Sequence, residues 1–184
     1  NGLNRRLDTR RELIKSFPKA RATFYYVYLD TLKNTEPHTF IFDAESVDST
    51  RQFFLSREGF PARNGPTQSD EFAHSGKFSC KLVKENPYGM TCALSEVQKG
   101  EEYLVSVWRY NNGNTKAGLV ISGNNPDKYY MFQSNVSAEE KGWQKLEYAF
   151  SVPESLVNED VKIYLWNMDE NTPAYFDDLK IERK

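Results

Sequence analysis

Two adjacent aspartates interrupt the stretch AYFDDLKIE, residues 174–182. Aspartate is a poor strand former, so a strand that keeps Asp177 and Asp178 between Phe176 and Leu179 is expected to use at least one of them. Alternate side chains of an extended chain share a face. Asp177 then turns inward with Leu179 and Ile181, and Asp178 goes with Lys180 toward solvent. A buried carboxylate has to accept backbone amide hydrogens, pair with a lysine or hold a cation.

The aromatic residues offer a second chemistry. Sugar rings present flat C–H faces, which stack on exposed tryptophan and tyrosine rings. In EYLVSVWRY, residues 102–110, Tyr103, Val105, Val107 and Arg109 alternate with Leu104, Ser106, Trp108 and Tyr110. In VKIYLW, residues 161–166, Val161, Ile163 and Leu165 mark the core side and leave Lys162, Tyr164 and Trp166 opposite. Tyr164 and Trp166 are the first candidates for a ring platform. Trp108, Arg109 and Tyr110, beside the NNGN turn, are candidates to complete it. The competing role for each ring is packing in the core or at a sheet edge.

Catalytic signatures are missing. There is no G-x-S-x-G, P-loop, H-E-x-x-H or G-x-G-x-x-G pattern. His38 and His74 fall in loops without an evident partner. With 26 acidic residues, a hydrolytic carboxylate pair can always be imagined, so the count decides nothing. A charge balance of 24 basic to 26 acidic residues lacks the basic stripe of a nucleic-acid binder. No run of about 18 apolar residues supplies a membrane-spanning helix, and the opening NGLNRRLDTRR does not read as a signal peptide.

The elements that must position these residues are short strands. From residue 40 onward, apolar runs such as TFIFDAES, RQFFLS, MTCALSEV, AGLVIS, KYYMFQS and QKLEYAFSV alternate with RNGP, ENPYG, NNGN and GNNPD turns. That pattern predicts an all-β sandwich or barrel over residues 40–184. Residues 1–39 differ. LDTRRELIKSF reads as a short helix capped by Asp8 and stopped by Pro18, and RATFYYVYLD as a strand, giving an N-terminal α/β extension. GKFSCKLVKENPYGMTCALSEV reads as a hairpin turning at ENPYG, which would set Cys80 opposite Cys92. The two would be either a disulfide or a pair of reduced core thiols.

Four stretches, in order, resemble the β-sandwich jelly rolls of the galactose-binding-like superfamily, including its xylan- and glucan-binding carbohydrate-binding modules. They are FIFDAES, HSGKFSCKLV, KGEEYLVSVWRY, and the closing KGWQKLEYAFSVPES with VKIYLWNMDENTPAYFDDLKIE. The resemblance implies a non-catalytic module that binds a polysaccharide or other glycan, from an extracellular, periplasmic or cell-surface protein. The alternative is an interaction or spacer domain facing another domain or protein. It also implies a structural calcium ion beside the N- and C-terminal strands. Carried over, the ligands are Asp177, Glu45 or Asp43, and carbonyls near Ser75 and Lys77. Trp143 resembles a structural tryptophan of these modules.

Overall fold

Alternation of apolar and polar side chains, strongest in Glu102–Tyr110 and Val161–Asn167, decides which side of each strand is buried. The computed structural model of the chain describes residues 28–30, 38–95, 97–157 and 159–184. The expected helix at residues 8–17 and the first part of the expected strand lie outside them. The described residues form two seven-stranded sheets. The first contains β1 (Tyr28–Asp30), β3 (Phe53–Leu55), β4 (Pro61–Arg63), β7 (Tyr88–Ser95), β9 (Ala117–Ser122), β10 (Tyr130–Gln133) and β13 (Val161–Asn167). The second contains β2 (Thr39–Phe42), β5 (Gln68–Ser69), β6 (Ser79–Leu82), β8 (Glu102–Tyr110), β11 (Val136–Glu140), β12 (Trp143–Ser151) and β14 (Ala174–Arg183).

The first sheet runs β10-β9-β13-β7-β4-β3 and the second β11-β12-β8-β14-β6-β5. Long-range pairings between sequence-distant strands make the chain cross repeatedly from one sheet to the other, the jelly-roll arrangement of an all-β sandwich. The core between the sheets is filled by Phe42, Phe54, Leu82, Met90, Leu119, Ile121, Leu146, Ile163, Leu165 and Phe176, among others. Of the expected extension, residues 28–30 are described as a strand. Tyr28–Asp30 pairs in parallel with Ala93–Ser95 of β7, so the first sheet takes in a strand from residues 1–39.

The expected cysteine hairpin does not form. β6 and β7 lie in different sheets, tied at the turn only by the Val83–Asn86 bridge. Cys80 pairs with Phe176 and Gln68 across the second sheet, while Cys92 pairs with Ile163 in the first. Both are free, buried thiols, and burial pushes them up to about 11 and about 12. A tight turn between two apolar runs reads as a hairpin in sequence, yet here it is a corner between sheets.

Candidate functional site

The alternation expected for β13 holds. Val161, Ile163 and Leu165 are fully buried, and Lys162, Tyr164 and Trp166 stand on the outer face of the first sheet. Cross-strand register then assembles their neighbours, because directly opposed residues point to the same side. Trp166 is opposite Tyr88 on β7 and Gly118 on β9, and Tyr164 is opposite Thr91 and Val120. The Tyr88 and Trp166 rings lie 6.1 Å apart at 14°, with Tyr164 edge-on to Tyr88 at 6.1 Å. Phe132 of β10 closes edge-on to Trp166 at 6.4 Å. Gly118 makes room for that ring, since a Cβ there would sit 2.9 Å from two Phe132 ring atoms. Tyr88 is 50 % exposed and Tyr130, farther along β10, 42 %. The result is a row of rings over a floor of small residues, with Arg63 and Lys162 among its polar flanks.

The other predicted ligand residues are elsewhere. Trp108 and Tyr110 stand on the outer face of the second sheet, because β8 pairs with β12 and β14 and never meets β13. Arg109 points between the sheets, 2 % exposed, and donates to the Ala117 carbonyl at 2.6 Å and to Gln144 Oε1 at 2.8 Å. Burial lowers its pKa. The five residues therefore divide among two opposite faces and the core. Tyr88, Phe132 and Arg63 complete the face of the first sheet and were missed. Tyr88 sits in the turn-like ENPYG, and Arg63 in a three-residue strand beginning with proline.

Residues 70–77 cover the face of the second sheet. Phe72 stacks on Tyr110 at 4.3 Å and 19°, and His74 on Trp108 at 4.2 Å and 15°. His74 also meets Trp143 edge-on at 5.6 Å, and Phe72 meets Tyr175 at 4.9 Å. Trp143 is 4 % exposed, as a structural tryptophan should be.

This loop is held by the aspartate pair. Asp177 Oδ2 accepts the backbone N–H of His74 at 2.8 Å and of Ser75 at 3.0 Å, and Oδ1 that of Asp178 at 2.7 Å. Asp178 accepts from the Ser75 hydroxyl at 2.8 Å and lies 2.8 Å from His74 Nδ1. So Asp178 is not a solvated face residue, and His74 does have a partner. Asp177 is buried as expected, but on the other side of the strand. Opposite the Asp177–Lys180 step, β8 moves only from Trp108 to Ser106, so Asp178 is an extra residue at φ 50°. The bulge flips the alternation. Asp177 shares a face with Trp108, while Leu179 and Ile181 face the core. Burial pushes the Asp177 carboxyl up to about 7, although the amide hydrogens pull it the other way.

Glu45 serves the same loop. Its Oε1 accepts the N–H of Lys77 at 2.7 Å and of Phe78 at 2.8 Å. Gly76, at φ 60°, lets the loop pass, since a Cβ would fall 2.4 Å from Glu45 Oε1. The calcium set implied by the resemblance thus meets at one loop only in part. Asp43 is turned to Arg57 Nε at 2.8 Å, and Ser75 and Lys77 aim N–H groups, not carbonyls, at the carboxylates. Among the described residues no group of three or more His, Cys, Asp or Glu stands where it could hold a metal ion. Calcium takes six to eight oxygens, so this amide-filled arrangement does not fit it.

No family model and no curated protein matches the sequence. Among solved structures, the chain is similar to the CBM22-1 xylan-binding domain of Paenibacillus barcinonensis Xyn10C, with a TM-score of 0.47 and 17 % identity over 78 % of this chain and 92 % of that one. It is similar to the CBM22-2 xylan-binding domain of the same protein, with a TM-score of 0.49 and 15 % identity over 79 % and 99 %. A third such structure is CBM35 from Cellvibrio japonicus Abf62, with a TM-score of 0.45 and 14 % identity over 78 % and 92 %. The likeness is one of fold.

Proposed function

We propose that this jelly roll is a non-catalytic glycan-binding module of an exported or cell-surface protein. A polysaccharide lies along the outer face of the first sheet and stacks its sugar rings on Tyr88, Tyr164 and Trp166. The observation that carries this reading is the near-parallel Tyr88 and Trp166 pair, 14° apart, with Tyr88 half exposed and polar side chains beside it. Stacked rings with flanking hydrogen-bonding groups suit a ligand that is flat and apolar on its faces and polar at its edges. The carboxylates described above are committed to loop amides, to the Ser75 and His74 side chains or to Arg57, which leaves them no evident part in hydrolysis.

A protein-facing role is the alternative. It is favoured by Phe72, 39 % exposed on the opposite face. The deciding experiment is retention of the intact chain on a panel of soluble and insoluble polysaccharides, xylan included, beside Trp166→Ala and Phe72→Ala. Retention on one glycan, lost in a folded Trp166→Ala and kept in Phe72→Ala, supports the module. No retention on any glycan overturns it in favour of a protein partner.

A further inference from the structure

The row across the first sheet ends in a cation, Arg63, without a partner among the described residues. Arg63 on β4 is opposite Thr91, Thr91 opposite Tyr164, Tyr164 opposite Val120, and Val120 opposite Phe132. Its neighbour Ala62 is fully buried in the core, so Arg63 points outward, on the same face as the Tyr164 ring. Each of the other described arginines has a partner. Arg51 donates to Gln68, Arg57 pairs with Asp43, Arg109 donates to Gln144, and Arg183 pairs with Glu101. Arg63 has no hydrogen-bond or ion-pair partner among the described residues. It is half-buried and walls a pocket of about 190 Å³ with Gln52, Phe53, Asn64 and Pro66.

A half-buried arginine beside a ring platform suits an anionic group on a carbohydrate, and a carboxylate is the one that a sugar ring itself carries. The planar guanidinium fork presents parallel N–H groups that a carboxylate accepts two at a time. A neutral sugar has hydroxyls for it and no charge to balance it. Gln52 adds an amide group to the pocket wall, suited to the ring hydroxyls next to a carboxylate, while Asn64 Nδ2 is committed to the Gly89 carbonyl at 2.6 Å and shapes the wall. We infer that the ligand is an acidic polysaccharide, with the carboxylate of a uronic acid residue seated at Arg63 while neighbouring sugars stack on Tyr164, Trp166 and Tyr88. This rests on the glycan-binding reading above and names the class of glycan.

The test compares each of several uronate-bearing polymers (glucuronoxylan, polygalacturonate and alginate) with its carboxyl-reduced form. Affinity electrophoresis of the intact chain is run beside Arg63→Gln, Arg63→Lys and Trp166→Ala. At least one uronate polymer is expected to bind about tenfold tighter than its reduced form, the scale of one charged hydrogen-bonded pair. Arg63→Gln should abolish that difference and Arg63→Lys keep part of it. The preference should fall as salt rises. Equal affinity for acidic and reduced forms of every polymer overturns the inference and leaves glycan binding standing. So does an Arg63→Gln that binds the acidic form as the parent chain does. No retention on any polymer, acidic or neutral, overturns both. The parent chain's own preference for acidic over reduced polymer decides the matter should Arg63→Gln not fold.

Discussion

The two outer faces of the sandwich carry similar residues and meet opposite fates. On the first sheet, Tyr88 is half exposed, and Tyr164 and Trp166 stand beside it over small residues. On the second, residues 70–77 lay Phe72 on Tyr110 and His74 on Trp108, and close over Trp143 and Tyr175. The difference does not lie in the strands, which alternate alike. It lies in Asp177 and Glu45, whose carboxylates take up the backbone amides of His74, Ser75, Lys77 and Phe78 and hold the loop down. An aromatic stripe on a sheet stays an open row of rings or becomes a covered layer according to whether a loop is anchored above it.

The largest effect should come from removing the anchor. Asp177→Ala strands amide hydrogens in a buried place and should cost about 3 kcal/mol or more, read by urea denaturation. Unchanged stability would mean that the loop does not depend on the carboxylate. Next comes a reciprocal pair of substitutions. Trp166→Ala should weaken glycan retention by about thirtyfold, or about 2 kcal/mol, with little change in melting temperature. Trp108→Ala should lower stability by about 2 kcal/mol and leave retention intact. The reverse outcome would exchange the roles of the two faces.

A smaller effect concerns pH. Burial raises the Asp177 carboxyl to about 7, above its value in the unfolded chain, so the folded state binds that proton more tightly. The stability this contributes is complete below about pH 4 and is lost as pH rises through 7. From about pH 5 to pH 8 the parent chain should therefore lose stability relative to Asp177→Asn, which does not titrate. A constant difference between the two would show that the amide hydrogens outweigh burial. The smallest effect is none. A chelator should leave the melting temperature unchanged, and a clear drop would restore calcium to the loop.

Much of this arrangement was legible in the residues. The buried and outer sides of β8 and β13 follow from alternation alone, and the all-β architecture from short apolar runs between turns. Which sheet each strand joins was not legible, because long-range pairing sets it. Hence Trp108 and Trp166, alike in sequence, lie on opposite faces. The side of Asp177 was misread because one extra residue, Asp178, reverses every side chain after it, and aspartate tolerates the left-handed conformation without glycine's signature. Arg63 gave no signal, since PARNGP reads as a turn and its place on the outer face comes from a register shared with Thr91 and Tyr164.

The two buried thiols make each sheet its own reporter. Cys80 belongs to the second sheet and Cys92 to the first, both at most 1 % exposed and with their thiolates suppressed by burial. An alkylating reagent can reach either one only when its strand opens, so each labelling rate counts local openings in the way amide hydrogen exchange does. Equal rates would mean that the sandwich opens as a single unit. Faster labelling of one would identify the sheet that yields first, and would show whether anchoring the loop over one face also steadies the strands beneath it.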